Sequence, residues 1–270
     1  MQQDASEIGE RTSERTRRVR APNPGLMTLD GTNSYLIDGS DAVSANGASD
    51  RVVVVDPGPL DEEHLRTLAA AGTVELVLLT HRHADHSAAR SRFAELTGAP
   101  VRAFDAALCI AAEPLTDGEE LHVGGTRITV IHTPGHTSDS VCFFLPDDGD
   151  HGAMLTGDTI LGRGTTIIDD PDGTLHDYLV SLSALAEFGP ARVLPAHGPA
   201  HPNLAEICDD YLRHRELRLD QIRRVLAKLG QDAPVQAVTD AVYGDTNASV
   251  RFAAEASVRA QLTYLRGQSG

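Results

Sequence analysis

The sequence predicts an α/β sandwich, in which helices cover β-sheets, followed by a helical appendage. Two observations lead to this fold class. From about residue 27 to residue 197, short β-branched runs that end in Gly, Pro or Asp turns alternate with stretches of helical period. After residue 197 the pattern is helical only. Strands that alternate with helices form sheets with helices packed on their faces, and the helical end resembles a small appendage to them.

Eight runs are predicted as strands because they are short, rich in β-branched residues and bounded by turn residues. They are residues 34–37, 52–56, 74–80, 101–104, 127–133, 141–145, 154–158 and 191–197. Helical patterns between several of them predict helices at 60–71, 86–97 and 174–187. Residues 38–50 are rich in Gly, Ser and Asp, which predicts an exposed loop.

The two ends of the chain differ from this middle part. Residues 1–20 are polar and charged without apolar periodicity, which predicts a disordered arm. Residues 203–229 form one long amphipathic pattern that ends at Gly230, and helical patterns follow at 235–243 and 248–266. The chain thus divides into an arm, a sandwich domain and a helical appendage, at residues 1–20, 21–200 and 201–270.

Composition and charge exclude several classes of function. The net charge is −16, which argues against a general surface for polyanions, and the appendage carries nine basic and nine acidic residues. The three cysteines, Cys109, Cys142 and Cys208, form no C-x-x-C pattern and predict neither a disulfide framework nor a thiolate zinc site. No apolar run suits a membrane span or a signal peptide, which predicts a cytoplasmic protein with no membrane partner.

A cluster of potential metal ligands follows the predicted strand 74–80. His81, His83, Asp85 and His86 lie within six positions, where the chain leaves the sheet and enters a helix. Imidazole nitrogens and carboxylate oxygens suit zinc, and iron or manganese are alternatives. Surface histidines in a loop are the alternative interpretation of these residues taken alone.

Three more candidate ligands lie at the ends of other predicted strands. His136 is in HTPGHT, Asp158 is in TGDT and His197 is in LPAHGP. Each follows a strand at a Gly or Pro turn, the position from which α/β folds usually present functional groups. His132, four residues before His136, is predicted to be structural.

These motifs, in this order, resemble the signature of the metallo-β-lactamase superfamily. The resemblance implies an αββα four-layer sandwich with two metal ions at one edge. It assigns His81, His83 and His136 to a first metal site, with Asp158 as a bridging ligand. It assigns three further ligands to a second site, namely Asp85, His86 and His197. Asp56, in VVDPGP, matches the family's first motif and is expected to hydrogen-bond a ligand histidine or the loop.

The resemblance also implies a mechanism. Two zinc ions would lower the pKa of a bridging water and so supply hydroxide for hydrolysis, with Asp85 and Asp158 as catalytic carboxylates. His83 favours hydrolysis because the oxygen-reducing di-iron branch has a glutamate at that position. A mono-iron persulfide dioxygenase that uses only the first site is one alternative. A non-catalytic metal-binding protein that mediates assembly is another.

Three stretches point to one branch of the superfamily. Residues 23–37, 158–167 and 211–218 are similar to the β-lactamase-like-protein-2 group, whose mammalian members are endoribonucleases for single-stranded RNA and whose sandwich carries a winged-helix-like appendage. This similarity implies a phosphodiester in RNA or a small anionic ester as substrate. A glyoxalase II-type thioesterase or a lactonase is the alternative, and a homodimer remains open.

Four residues are candidates for contact with the substrate. Arg82 stands where relatives often have an aromatic residue, and Arg163 stands where the mammalian branch has an acidic one. Either guanidinium could bind phosphate or carboxylate. The other two candidates are Asn33, in the stretch 23–37, and Thr165, in the stretch 158–167.

Overall fold

The computed structural model describes residues 8–39, 51–123, 125–244 and 251–267, and it has two β-sheets that pack face to face with helices outside them. The first sheet has the strand order β1-β2-β3-β4-β5-β6. Its strands are β1 Glu10–Arg11, β2 Thr16–Arg20, β3 Asn33–Asp38, β4 Arg51–Val55, β5 Thr73–Leu78 and β6 Val101–Arg102. Strands β4, β5 and β6 run parallel, and the other neighbours are antiparallel.

The second sheet has the strand order β11-β10-β9-β8-β7. Its strands are β7 Glu120–Val123, β8 Thr126–His132, β9 Val141–Leu145, β10 Ala153–Gly157 and β11 Arg192–Pro195. Only β10 and β11 pair in parallel in this sheet of described strands. All eight predicted strands are confirmed. Three further described strands were not predicted: β1 and β2 lie in the predicted arm, and β7 is short and carries two exposed polar residues.

Helices lie on the outer faces of both sheets and continue into the appendage. They are α1 Glu62–Ala69, α2 Ala84–Ser87, α3 Arg90–Thr97, α4 Leu175–Ala186, α5 Leu204–Leu229, α6 Val235–Tyr243 and α7 Arg251–Gly267. The helix predicted at 86–97 is divided into α2 and α3, since the turn that carries the candidate ligands extends into it. None of the described helices is both long and apolar enough to cross a membrane.

Side-chain alternation along the strands produces the layers. In β4, Val53 and Val55 face the second sheet, whereas Val52 and Val54 face α1 and α3. Because both faces of this strand are buried, its sequence is a continuous apolar run. On the other side of the molecule, α4 and the first half of α5 cover the second sheet. The αββα layer order implied by the resemblance is therefore confirmed.

The predicted disordered arm is wrong for residues 8–20, since Glu10–Arg11 and Thr16–Arg20 are strands of the first sheet. Thr16–Arg20 pairs with β3, and the buried Arg17 guanidinium forms an ion pair with Asp38. The buried carboxylate of Asp148 accepts hydrogen bonds from Ser13, Thr16 and the Arg15 amide. These long-range polar partners stabilise a segment that has no apolar pattern. Residues 1–7, and residues 40–50 of the predicted loop, lie outside the described residues.

The predicted appendage is helical. Helix α5 begins at the Asn203 cap, whose side chain accepts from the Glu206 amide, and it ends at Gly230 as predicted. Its second half packs with α6 and α7 around a small core of Ile222, Leu226, Ala233, Val238, Val258 and Leu262. No strand, and hence no β-wing, occurs in the described residues after 202. The winged-helix likeness therefore stays a prediction.

Candidate metal centre

The seven predicted ligands converge at one edge of the sandwich, although they come from four separate strand ends. They follow β5, β8, β10 and β11. Their ligand atoms fall into two groups, and within each group these atoms lie within 4.8 Å of one another. The first ligand group is His81, His83, His136 and Asp158, and the second ligand group is Asp85, His86 and His197.

The first ligand group has the spacing expected around a small cation. His83 Nδ1 lies 3.0 Å from His81 Nε2 and 3.1 Å from His136 Nε2. Asp158 Oδ2 lies 3.7 Å from His136 Nε2. Around a tetrahedral zinc ion with Zn–N bonds of about 2.0–2.1 Å, nitrogens lie about 3.3 Å apart. The residues present therefore fit such an ion.

Asp158 belongs to the first ligand group, and its Oδ1 also faces the histidines of the second group. His197 Nε2 lies 3.2 Å from Asp85 Oδ2 and 3.3 Å from Asp158 Oδ1, and His86 Nε2 lies 3.4 and 3.6 Å from the same two oxygens. Within the described residues, His86 Nε2, His197 Nε2 and Asp158 Oδ1 are buried without a hydrogen-bond partner. Buried polar atoms normally have partners, and a metal ion would supply one to all three.

Most ligand histidines are oriented by a hydrogen bond at the nitrogen that faces away from the centre. Buried Asp56 accepts from His86 Nδ1 at 2.8 Å and from the Thr80 amide and hydroxyl at 2.8 and 2.7 Å. The same hydroxyl lies 3.0 Å from His81 Nδ1. Asp56 adopts φ of 52°, in the left-handed region that Asp tolerates better than most residues. The structure thus places Asp56 where the sequence analysis expected it.

The buried histidines of the two ligand groups have pKa values that are shifted in opposite directions. Burial lowers the pKa of His81 well below its ordinary value, and the nearby imidazoles of His86 and His136 add to this. Burial also lowers the pKa of the His197 imidazole, but the Asp158 and Asp85 carboxylates outweigh it and raise the value to about 9. The pKa of His86 is raised in the same way, against its burial. The Asp85 and Asp158 carboxylates therefore favour positive charge on the imidazoles of His86 and His197.

The candidate substrate residues occupy varied places. Asn33 is buried and donates both amide hydrogens to the Pro195 and Gly198 carbonyls, so it positions the loop that carries His197 instead of contacting a cavity. Arg163 forms an exposed ion pair with Asp30 at 3.0 Å. Thr165 is half-buried in the same loop.

Arg82 is engaged by protein carboxylates. Its Nη2 contacts Asp169 Oδ2, and it lies 3.0 Å from Asp172 Oδ2. His132 lies outside both ligand groups, as predicted. Its ring stacks on Phe104 at 3.9 Å, and its Nε2 donates to the Ser138 carbonyl.

A cavity of about 390 Å³ opens beside the first ligand group, and the sequence analysis did not predict it. His83 and His136 are among its lining residues. Its apolar walls are Met27, Ile167, Ile168 and Phe252, and its charged residues are Asp169, Asp170, Glu255 and Arg259. Helix α7 supplies Phe252, Glu255, Ala256 and Arg259, so the appendage closes one side of the cavity. No local motif marks these residues, since they meet only in the folded chain.

Comparison with known proteins assigns the family. The family model described as "Metallo-beta-lactamase superfamily" matches residues 27–197, which include every predicted ligand. The chain belongs to this superfamily. It is a hydrolase of this superfamily with a candidate metal-binding His/Asp cluster, in agreement with the resemblance read from the sequence.

Similar proteins agree with both the branch and the fold. A Beta-lactamase-like protein 2 homolog of Caenorhabditis elegans is 32% identical over 269 residues, which span 95% of this chain and 85% of that protein. The metallo-beta-lactamase family protein TTHA1429 from Thermus thermophilus has the same fold, with a TM-score of 0.74, 23% identity and 94% of both chains covered. TTHA1623, solved in a di-iron-bound form, is 26% identical with a TM-score of 0.54, over 69% of this chain and 94% of that chain.

Proposed function

We propose that the protein is a binuclear metal-dependent hydrolase of small esters or thioesters, lactones included, rather than of RNA. The observation that carries this choice is the cavity beside the first ligand group, with apolar walls and more carboxylates than cations. Its volume of about 390 Å³ lies in the usual range for small-molecule sites, about 300–1,000 Å³.

The two ligand groups would each hold one ion, and Asp158 would serve both. Zinc suits this set of histidine and aspartate ligands, with iron or manganese as alternatives. The di-iron-bound form of TTHA1623 supports this proposal, because it shows two ions in a protein of similar fold. When bound in these groups, two divalent ions would lower the pKa of a bound water and polarise the bond to be cleaved.

The side chains of the centre have separate tasks in this proposal. Burial raises the pKa of Asp158, but the His197 and His86 imidazoles outweigh it and hold the value well below its ordinary range, so this carboxylate stays ionised. Asp85 is more exposed than Asp158, and it is the carboxylate of the centre that can orient the attacking water. No serine or cysteine nucleophile is needed.

The charges around the cavity favour a small molecule over RNA. Three carboxylates and one guanidinium line it, and Arg82 nearby is already paired with Asp169 and Asp172. Affinity for RNA depends largely on cations that neutralise phosphates, which this surface and a net charge of −16 do not provide. Arg259 has no ion-pair partner among the described residues and could hold one anionic group of a small substrate.

Parallel assays test this proposal. The zinc-loaded protein is incubated with S-lactoylglutathione, an acyl-homoserine lactone, a p-nitrophenyl ester, single-stranded RNA and nitrocefin. We expect chelator-sensitive turnover of at least one ester, thioester or lactone and none of RNA. Chelator-sensitive cleavage of RNA alone would overturn the proposal.

Variants separate a catalytic centre from a metal site that only supports structure. His83→Ala and Asp158→Ala should abolish turnover. Phe252→Ala should raise KM with little change in kcat, because Phe252 lines the cavity and is not one of the candidate ligands. Leu229→Ala, at an exposed position on α5, is the matched control and should leave both constants unchanged. Equal activity in all four variants would reject the assigned centre.

A further inference from the structure

We infer that residues 166–172, named here the orienting segment, set the ring orientation and tautomer of two ligands in the first group, and that Arg82 and Arg215 hold this segment in place. The inference rests on the proposed metal centre, since it concerns how His83 and His136 are presented to an ion. It gives both arginines a positioning role instead of contact with the substrate.

The orienting segment binds His136 through both its ring and its backbone. The Ile167 carbonyl accepts from His136 Nδ1 at 2.6 Å, and the Thr166 hydroxyl lies 3.3 Å from the same nitrogen. The Asp169 amide donates to the His136 carbonyl at 2.9 Å. With its proton held on Nδ1, His136 presents the lone pair of Nε2 to the first ligand group.

The same segment orients His83 in the opposite sense. Asp169 Oδ2 lies 3.2 Å from His83 Nε2, while His83 Nδ1 faces His81 and His136. A carboxylate at Nε2 favours the tautomer with the proton on that nitrogen and so leaves Nδ1 free to bind an ion. One short segment thus fixes the complementary tautomers of two ligands.

Arg82 fixes the carboxylate that acts on His83. Its Nη2 contacts Asp169 and also reaches Asp172, whose oxygens accept from the Ser138 amide and hydroxyl at 2.8 and 2.9 Å. Without the guanidinium, two carboxylates close to each other would repel, and Asp169 would be free to turn away from His83. Because these carboxylates occupy Nη2, this nitrogen is not free to bind an anionic substrate.

Arg215 holds the other end of the orienting segment from the appendage. Its guanidinium is buried, donates to the Thr166 carbonyl, and lies 5.0 Å from the centre of the Tyr178 ring. Thr166 directly precedes Ile167, whose carbonyl orients His136. Helix α5 therefore supports the first ligand group from outside the sandwich, which gives the appendage a role that needs no nucleic acid.

Zinc affinity measured by chelator competition tests the inference, with each ligand group isolated in the full-length chain. His197→Ala removes a second-group ligand and leaves the first group complete, whereas His136→Ala does the opposite. In the His197→Ala background, Arg82→Gln and Asp169→Ala should each weaken zinc binding by about 10–100-fold, the usual effect of losing a contact that orients a ligand. In the His136→Ala background, neither change should alter affinity more than about twofold.

Conservative and matched variants separate orientation from general damage. Arg82→Lys keeps a cationic donor near both carboxylates and should restore most of the affinity that Arg82→Gln loses. Arg215→Gln should weaken the first group as well, whereas Arg213→Gln, on the same helix in an exposed pair with Asp210, should not. Asp169→Ala, at a half-exposed position, carries the test if an arginine variant fails to fold.

Equal zinc affinities with and without Arg82 or Asp169 in the His197→Ala background would overturn the inference, and so would an equal loss in both backgrounds. Failure of this inference can be distinguished from failure of the proposed function. If the protein binds two ions and hydrolyses none of the small substrates, the proposed function fails, while selective loss from the first group still supports the orienting segment.

Discussion

The two ligand groups lie side by side, yet the protein holds them in different ways. In the second group, the His86 and His197 side chains are at most 1% exposed, and the buried Asp56 fixes His86. In the first group, His83 is 33% exposed, and its Nε2 lies 3.2 Å from Oδ2 of Asp169, which is 43% exposed. The two histidines of the second group are therefore enclosed by the core, although Asp85 is 28% exposed, whereas the half-exposed His83 of the first group is supported by a loop that also forms a cavity wall.

This difference indicates from which side a substrate reaches the centre. The cavity contacts His83 and His136 of the first group, and no member of the second group is among its lining residues. In the proposed function, a group with buried imidazoles and a carboxylate that stays ionised suits the activation of water. An open group beside apolar walls suits the binding of a substrate.

The largest effect is expected where the two groups meet. Asp158→Ala removes the carboxylate that faces both, so both zinc affinities should fall by at least about 100-fold, the upper end of what a lost orienting contact causes. Chelator competition and steady-state turnover measure this. Asp210→Ala, an exposed change on α5, is the control. If only one affinity falls, Asp158 does not join the groups.

Substitution of the buried carboxylate of Asp56 should reduce stability more than substitution of the half-exposed carboxylate of Asp169. Asp56→Asn leaves buried donors of Thr80 and His86 poorly matched and should lower the free energy of unfolding by about 1–3 kcal/mol. Asp169→Asn should lower it by less than about 1 kcal/mol, as for other exposed ion pairs. Urea unfolding of the metal-free variants measures both, and equal losses would contradict the comparison.

The metal-free protein should lose stability at alkaline pH because of the second group. The pKa of His197 is about 9 in the folded chain, above its ordinary value of 6.5. A raised pKa adds stability that is complete below the unfolded value and disappears as pH rises through the folded one. In the presence of chelator, Tm should therefore fall between about pH 6.5 and about pH 9.5, and less so in His197→Ala. An equal fall in both proteins would assign the effect elsewhere.

The smallest effect is expected at Arg163. Its guanidinium forms an exposed pair with Asp30 and is not among the residues that line the cavity. Exposed pairs contribute about 0–1 kcal/mol. Arg163→Gln should therefore leave KM within about twofold and stability nearly unchanged. A KM raised by about tenfold or more for an anionic substrate would instead indicate that Arg163 binds the phosphate or carboxylate of the substrate.

Much of the fold was predictable from local pattern. All seven candidate ligands lie just after predicted strands. Four of them cluster in THRHADHS, and the other three lie at Gly or Pro turns. The arm was misread because its strand is held by Arg17 with Asp38 and by Asp148, partners that apolar periodicity does not reveal. Pattern analysis detects burial of apolar residues better than it detects long-range polar contacts.

The supporting contacts of the centre were not predictable. Arg82 and Asp169 are 87 positions apart, and Arg215 and Thr166 are 49 apart, so nothing in either local sequence indicates the other. The cavity likewise depends on how α7 packs against the loop at 167–170. Such contacts depend on how distant segments meet, which a single sequence does not specify.

Metal content tests the central claim most directly, namely that seven side chains form two adjoining ion sites. The full-length protein and its His81→Ala and His197→Ala variants are dialysed against buffered zinc and then analysed for metal per chain. Two ions in the unchanged protein and one in each variant are the predicted result. One ion in the unchanged protein, retained in His197→Ala, would contradict the account.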